Sequence, residues 1–213
     1  MRSENIRRID PGWPEAAVIQ AAAAAIAAGK VVVFPTRCLY GLGADAFDAQ
    51  AVKQVFALKQ RPDNKPVLVL IPSRREVFRL AARVSEVAER LMDAIWPGDL
   101  TLVFSARPEV SETLTAGTGN IGIRLPGHPV AAALVEAAGR PITGTSANLA
   151  GAPGVSRIAD LPRKIADRVD LILDAGPLKG GAGSTVVDVT VDPPRILRHG
   201  AVSEAELVQA LEK

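Results

Sequence analysis

The sequence predicts an α+β fold with α/β-like stretches, built on a mixed, twisted sheet. Two observations carry this. Short apolar runs rich in β-branched residues, at 31–34 (VVVF), 67–71 (VLVLI) and 100–104 (LTLVF), have the length and composition of buried strands. Between them lie stretches with apolar residues three and four apart, such as Ala51, Val52, Val55, Phe56 and Leu58, which is helical periodicity. The alternation is irregular, and some strands follow one another as in hairpins. No internal repeat and no linker interrupts the chain, so residues 1–213 read as a single domain.

Residues 1–12 read as an extended lead-in, with Ile6 and Ile9 placed to pair with a sheet edge. A helix over 14–28 opens on Pro14 and stops at Gly29. Pro35-Thr36 ends the strand at 31–34, and Gly41 and Gly43 predict a tight loop with close backbone approach. A helix starts at Asp48 and must end near Gln60, because Pro62 disfavours the helical region for Arg61. After the strand at 67–71, Ser73 and Glu76 have capping-box spacing. A helix over 85–95 ends at Pro97-Gly98, and the strand at 100–104 leads into a polar, Gly- and Thr-rich stretch, 108–119, read as a mobile loop. Residues 120–125 (NIGIRL) alternate as a strand, with Ile121 and Ile123 on one face and Arg124 on the other. A helix over 129–138 stops at Gly139, and a strand entered at 140–145 runs into the turn Ser146-Ala147-Asn148. Then come a helix over 161–169, a strand at 171–173 and a glycine-rich loop at 176–183. Strands at 186–189 and 196–198 and a helix over 203–211, capped by Ser203 with Glu206 three residues on, complete the chain.

Composition narrows the function classes. With 25 Lys and Arg against 23 Asp and Glu, the formal charge of +2 gives no strong overall nucleic-acid field. The single Cys38 excludes an internal disulfide and fits a reducing compartment. No apolar run is long enough to span a bilayer, and the basic N-terminus has no apolar signal core behind it. A cytoplasmic protein without a membrane partner is the expectation.

Lys59 and Arg61, Arg124, the Ser146-Ala147-Asn148 turn, the glycine loop ending in Ser184-Thr185, and Arg198 share one theme. Cations, hydroxyls and exposed backbone amides are what a polyphosphate needs. Each also has a plain structural reading. Cations at a helix exit can cap its carbonyls, Ser/Asn turns cap their own backbone, and an arginine in an alternating strand can face solvent. Other signatures are absent. Glycines 176 and 181 have the spacing of a phosphate loop, but Ala182 stands where lysine is needed, and no GxGxxG follows a strand. The only histidines, His128 and His199, exclude a multi-His metal site, and Cys38 lacks a Cys-His motif.

In these blocks the chain resembles the YrdC/TsaC family of threonylcarbamoyl-AMP synthases, over nearly its whole length. The matching residues are Pro35-Thr36 with Tyr40-Gly41-Leu42-Gly43, Lys59-Gln60-Arg61-Pro62 with Lys65-Pro66, and Trp96-Pro97-Gly98 with Leu100-Thr101. They continue through Ile123-Arg124-Leu125-Pro126 with His128-Pro129 and Ser146-Ala147-Asn148. Ser184-Thr185-Val186-Val187-Asp188 and Ile196-Leu197-Arg198 with Gly200-Ala201 complete the match. Two departures stand out. Arg37 and Cys38 occupy positions where the family usually has an acid and Thr, and Thr145 precedes the Ser-Ala-Asn turn where Pro is usual.

The resemblance implies a twisted mixed sheet flanked by helices around a large concave, positively lined cavity. It implies a nucleotidyltransferase that makes threonylcarbamoyl-AMP and pyrophosphate from L-threonine, bicarbonate or CO2, and ATP, for modification of adenosine 37 in tRNA. By position, Thr36, Arg124 and Ser184 would hold threonine and the carbamate, and Tyr40 would shape their pocket. Lys59, Ser146, Asn148 and Arg198 would hold ATP, with Arg61 supporting them; Lys59, Arg61, Ser146 and Asn148 carry the catalytic role. Asn120, Gly144 and Gly154 are implied nucleotide contacts. Mg2+ would ride on the phosphates without dedicated protein ligands, and the partners implied are a downstream tRNA threonylcarbamoyltransferase complex and RNA. Arg37 is expected to face solvent, because Arg124 already supplies a cation. Two other functions attach to the resemblance. One is an RNA-binding or ribosome-associated protein without synthase activity. The other is carbamoyl transfer, as in a domain of hydrogenase-maturation proteins whose zinc-finger motifs are absent here.

Overall fold

A computed structural model of the chain describes residues 3–62 and 65–212, so positions 1 and 2 of the extended lead-in lie outside it. A 3-10 turn (Ser3–Asn5) leads into β1 (Ile6–Arg8), then α1 (Ala16–Ala27), β2 (Val32–Pro35), β3 (Tyr40–Gly43), α2 (Ala49–Lys59) and β4 (Val69–Leu70). A second 3-10 turn (Arg74–Glu76) precedes α3 (Val77–Leu80), α4 (Glu86–Ile95), β5 (Leu100–Ser105), α5 (Glu112–Thr115), β6 (Asn120–Arg124) and α6 (Pro129–Ala138). Then come β7 (Ile142–Thr143), β8 (Thr145–Ser146), a 3-10 turn (Ile158–Asp160) and α7 (Arg163–Ala166). The remaining elements are β9 (Leu171–Asp174), β10 (Thr185–Asp188), β11 (Arg195–Arg198) and α8 (Glu204–Leu211).

The expected mixed sheet divides into two. One has five strands in the order β1-β9-β2-β3-β8, and the other has six in the order β11-β10-β5-β6-β4-β7. Both are mixed. In the first, β1, β9 and β2 run parallel while β3 is antiparallel to its neighbours β2 and β8. In the second, the β10/β5 and β6/β4 pairs are parallel and the others antiparallel. A shared core of α1 and α6 joins them, with Val32, Phe34 and Leu173 from the first sheet against Leu70 and Ile142 from the second. The chain crosses between the sheets at Gly144, between β7 and β8. A Cβ there would lie 2.7 Å from side-chain atoms of Leu68 and Leu70, so the crossing requires glycine.

The structure corrects several local expectations. Gly41 and Gly43 lie in β3 and form no loop. A Cβ on Gly43 would sit 2.9 Å from the Phe34 ring, so the glycines let the strand close over that ring. Residues 108–119 contain the helical turn α5, capped by the Ser111 side chain, and its Leu114 is buried and accepts a bond from Val67 N at 3.3 Å. Ser73 makes no side-chain cap, whereas Ser203 and Glu206 form the predicted capping box. Only 69–70 of the strand expected at 67–71 pair in a sheet, and of the helix expected over 161–169 only the short α7 forms, after a 3-10 turn that ends at Asp160.

Candidate functional site

Two hydrogen-bonded groups of polar residues, one from each sheet, make the site. Asp48 caps the start of α2 by accepting from Gln50 N and Ala51 N. At the other end Gln60 turns left-handed at φ 50° and stops the helix, leaving Lys59 as its last residue. Lys59 is 2% exposed. Its ammonium donates to Ser146 O, to Asn148 O at 2.9 Å and to Asn148 Oδ1 at 3.3 Å. In return Ala150 N donates to Lys59 O at 2.7 Å. The Ser146 hydroxyl donates to Asn148 Oδ1, and Asn148 Nδ2 donates to Leu149 O at 2.8 Å. Arg61 reaches forward, its Nε to Lys65 O at 2.9 Å and its Nη2 to Pro66 O at 2.6 Å. Lys59 and Arg61 therefore bond other turns, and the capping of α2 is not their work.

Burial, with Arg61 close by, pulls the Lys59 ammonium down to about 8. Burial and then Arg198 lower Arg61, and burial lowers Arg198. Among the described residues, no carboxylate forms a salt bridge with Lys59, Arg61 or Arg198.

The second group hangs on β10, β11 and β6. Arg198 Nη2 donates to Ser184 O at 2.7 Å and to Ser184 Oγ at 3.2 Å, while Ser184 Oγ lies 2.8 Å from Thr101 Oγ1. Arg124 is buried, contrary to the solvent-facing reading. Its Nε donates to Gly98 O at 2.7 Å and its Nη2 to Asp99 Oδ1. Arg198 lies within electrostatic reach of Arg124, so the cations of both groups converge.

Thr36 and Tyr40 bracket the loop between β2 and β3. The Thr36 hydroxyl donates to Leu39 O at 2.6 Å, which leaves its oxygen free to accept. The Tyr40 ring is wholly buried. Its hydroxyl donates to Gly176 O at 2.7 Å and accepts from Ala175 N at 3.0 Å, and burial raises the phenol further from titration. Tyr40 thus supports the loop from behind. Tyr40→Phe will leave those two main-chain groups without a partner and cost about 1–3 kcal/mol, read as a lowered urea midpoint. Gly154 backs the same loop, where a Cβ would lie 2.6 Å from Leu39 Cδ1. Asn120 stands apart, at the opposite end of β6 from Arg124 and roughly 13 Å away at ~3.3 Å per residue. Cys38 is buried, and burial followed by Asp99 pushes its thiol up, the reverse of an activated nucleophile.

Sequence reading missed Asp99, and it gave Thr101 no role beyond its place in a matching block. Asp99 binds Arg124 and also Arg37, whose Nη1 lies 3.1 Å from Asp99 Oδ2. The Arg37 side chain is 61% exposed, as expected, yet it is paired. No short-range signal links positions 37, 99 and 124. Asp99 meets Arg124 because β5 pairs with β6, and Arg37 reaches it from the loop between β2 and β3 of the other sheet.

The Sua5/YciO/YrdC family profile, described as telomere recombination, matches residues 24–200. The threonylcarbamoyl-AMP synthase of Pyrococcus abyssi is 37% identical over 207 residues, which is 97% of this chain and 60% of that protein. The putative threonylcarbamoyl-AMP synthase of Mycobacterium tuberculosis is 39% identical over 193 residues, covering 91% of this chain and 88% of that one. The crystal structure of P. abyssi Sua5 complexed with L-threonine superposes with a TM-score of 0.92 at 36% identity, over 97% of this chain and 60% of that one. The chain thus spans about 60% of the P. abyssi protein's length, and 55% of the Bacillus subtilis synthase. Sequence and fold agree that this chain belongs to the Sua5/YciO/YrdC family.

Proposed function

We propose that this chain is a nucleotidyltransferase that forms L-threonylcarbamoyladenylate and pyrophosphate from L-threonine, bicarbonate or CO2, and ATP. One observation carries the reading. Three cations, buried Lys59, half-buried Arg61 and the more exposed Arg198, stand together with only carbonyl, amide and hydroxyl oxygens as partners among the described residues. A polyanion is the ligand that relieves their mutual repulsion. The names of the P. abyssi relative and of its threonine complex support the same substrates.

In the reaction the threonine nitrogen bonds to the carbon of CO2 and loses a proton, giving a carbamate. A carbamate oxygen then bonds to the α-phosphorus as the bond to pyrophosphate breaks. The protein forms no covalent bond, so positioning and charge stabilisation supply the acceleration. Lys59, Ser146, Asn148 and Arg198, supported by Arg61, take the triphosphate, with Asn120, Gly144 and Gly154 as further nucleotide contacts in a concave cavity. Thr36, Arg124 and Ser184 take threonine and the carbamate. Among the described residues, no three His, Cys, Asp or Glu side chains converge as a metal site. Mg2+ in this scheme enters on the phosphates, whose hard oxygens suit it, and neutralises their charge. The product is a mixed anhydride and needs an acceptor; a cytoplasmic transferase acting on tRNA is the partner proposed, and residues 1–213 are read as one domain.

The test is incubation with ATP, Mg2+, bicarbonate and threonine, scored for pyrophosphate and threonylcarbamoyl-AMP. Threonine-dependent formation of both is expected, and ATP turnover indifferent to threonine overturns the proposal. Valine will be a far poorer substrate than threonine, because a site that pairs a hydroxyl leaves its own polar groups unpaired without one. Serine loses only a methyl contact, worth about 1 kcal/mol, and will be rejected modestly. Equal kcat/KM for threonine and valine would remove Thr36 and Ser184 from the assignment.

A further inference from the structure

We propose that Asp99 is the positioning residue that sets the Arg124 guanidinium for the substrate carboxylate, an inference that rests on the function proposed above. Asp99 is 5% exposed and stands between two arginines of opposite exposure. Its Oδ1 accepts from buried Arg124, and its Oδ2 accepts from exposed Arg37 at 3.1 Å. A second bond, from Arg124 Nε to Gly98 O at 2.7 Å, ties the same guanidinium to the preceding residue. The fork is therefore fixed at two of its nitrogens by consecutive residues of one turn. Only its remaining N–H groups are left for a ligand.

That turn is itself rigid. Gly98 N donates to Leu125 O at 3.0 Å, Thr185 N donates to Asp99 O at 3.0 Å, and the buried Trp96 indole donates to Leu100 O at 2.7 Å. Residue 99 thus serves both halves of the threonine site. Its main chain holds Thr185, next to Ser184, and its side chain holds Arg124. Only the side-chain contact is lost on substitution. On the outer side Arg37 borders a cleft of about 340 Å3 that reaches Glu206 and Gln209 of α8. Asp99 is the wall between this cleft and Arg124. It satisfies the buried cation while leaving Arg37 out in water, where its pairing contributes little.

The expected signature separates positioning from bulk stability. In Asp99→Asn, and in Asp99→Glu, which keeps the charge but displaces it by a methylene, the threonine KM will rise at least tenfold. The KM for ATP will stay within threefold of wild type. Arg37→Ala keeps the Asp99–Arg124 contact and will change the threonine KM by less than threefold. If Asp99→Asn fails to fold, Asp99→Glu decides the matter. Unchanged or lowered threonine KM in the folded variants overturns the proposal, as does a parallel rise in both KM values. A wild-type protein with no threonine-dependent pyrophosphate release instead removes the function it rests on.

Discussion

Lys59→Ala will lower kcat/KM for ATP by between about thirtyfold and a thousandfold, the equivalent of roughly 2–4 kcal/mol of transition-state stabilisation. The ammonium is buried, held by the 146–148 turn, and reinforced by Arg61 and Arg198. The substitution leaves the carbonyls of Ser146 and Asn148 short of a donor, but it also removes a charge that burial disfavours. The two effects oppose one another, and the urea midpoint will move less than the activity does. Arg61→Ala will act in the same direction. Normal turnover in both folded variants would strip these cations of any role in the chemistry.

The lowered pKa adds a pH signature. Below about pH 8 Lys59 is charged and ready for phosphate. As pH rises through about 8 the free protein loses that proton, and ATP must restore it on binding, so the apparent Kd weakens up to tenfold per pH unit. The stability effect has the opposite sense. The unfolded chain keeps the proton up to the ordinary lysine pKa of 10.5, so it binds more protons than the folded chain between about 8 and 10.5. Across that window this group makes the unliganded protein more stable as pH rises, and below about 8 its penalty is present in full. Isothermal titration with ATP against pH, in wild type and Lys59→Ala, isolates the effect, since the variant lacks the titrating group.

Gly200→Ala is expected to be among the most disruptive single-methyl changes near the site. A Cβ there would lie 2.4 Å from Gly183 O, Ser184 C and Thr185 N, all main-chain atoms. A flexible side chain could swing away, but this backbone cannot. Ala201 N donates to Gly183 O at 2.9 Å, and the Thr185 hydroxyl exchanges bonds with Val202 O and Val202 N at 2.6 and 3.1 Å. Relief therefore means pushing the 183–185 segment outward, and with it the Ser184 groups that Arg198 grips. Overpacking of this kind costs about 1–3 kcal/mol or more. Loss of several degrees in Tm with at least a tenfold fall in kcat/KM is expected. A variant with wild-type Tm and activity would show that the segment yields freely.

The parts of this fold readable from sequence were those governed by local chemistry. The helix stop at Gln60 follows from Pro62, the α6 ends from Pro129 and Gly139, and the α8 cap from Ser203 and Glu206. Gly41 and Gly43 misled because a glycine in a strand looks the same in sequence as one in a turn, and only the Phe34 ring distinguishes them. The α5 turn was hidden in polar composition, since its stability comes from Leu114 packing into a distant core. In the candidate site, Lys59, Ser146 and Asn148 were legible as motif residues, and the structure bonds them directly. Asp99 was not, because its importance lies in contacts to position 124, set by the β5/β6 pairing, and to position 37, set by how a loop of the other sheet lies against it.

The carbonyl cradle around Lys59 has a consequence for turnover. A lysine paired with a carboxylate has its charge offset by that partner before a ligand arrives and again after it leaves. Main-chain oxygens carry only partial charge, so below about pH 8 no partner anion offsets the charge of Lys59, and the cluster attracts whatever anion remains after the proposed reaction. Pyrophosphate retains most of the charge that drew ATP in. If the chain carries out the proposed reaction, the same feature that recruits ATP also holds on to the leaving group, and release of pyrophosphate is the step expected to set the pace of the cycle.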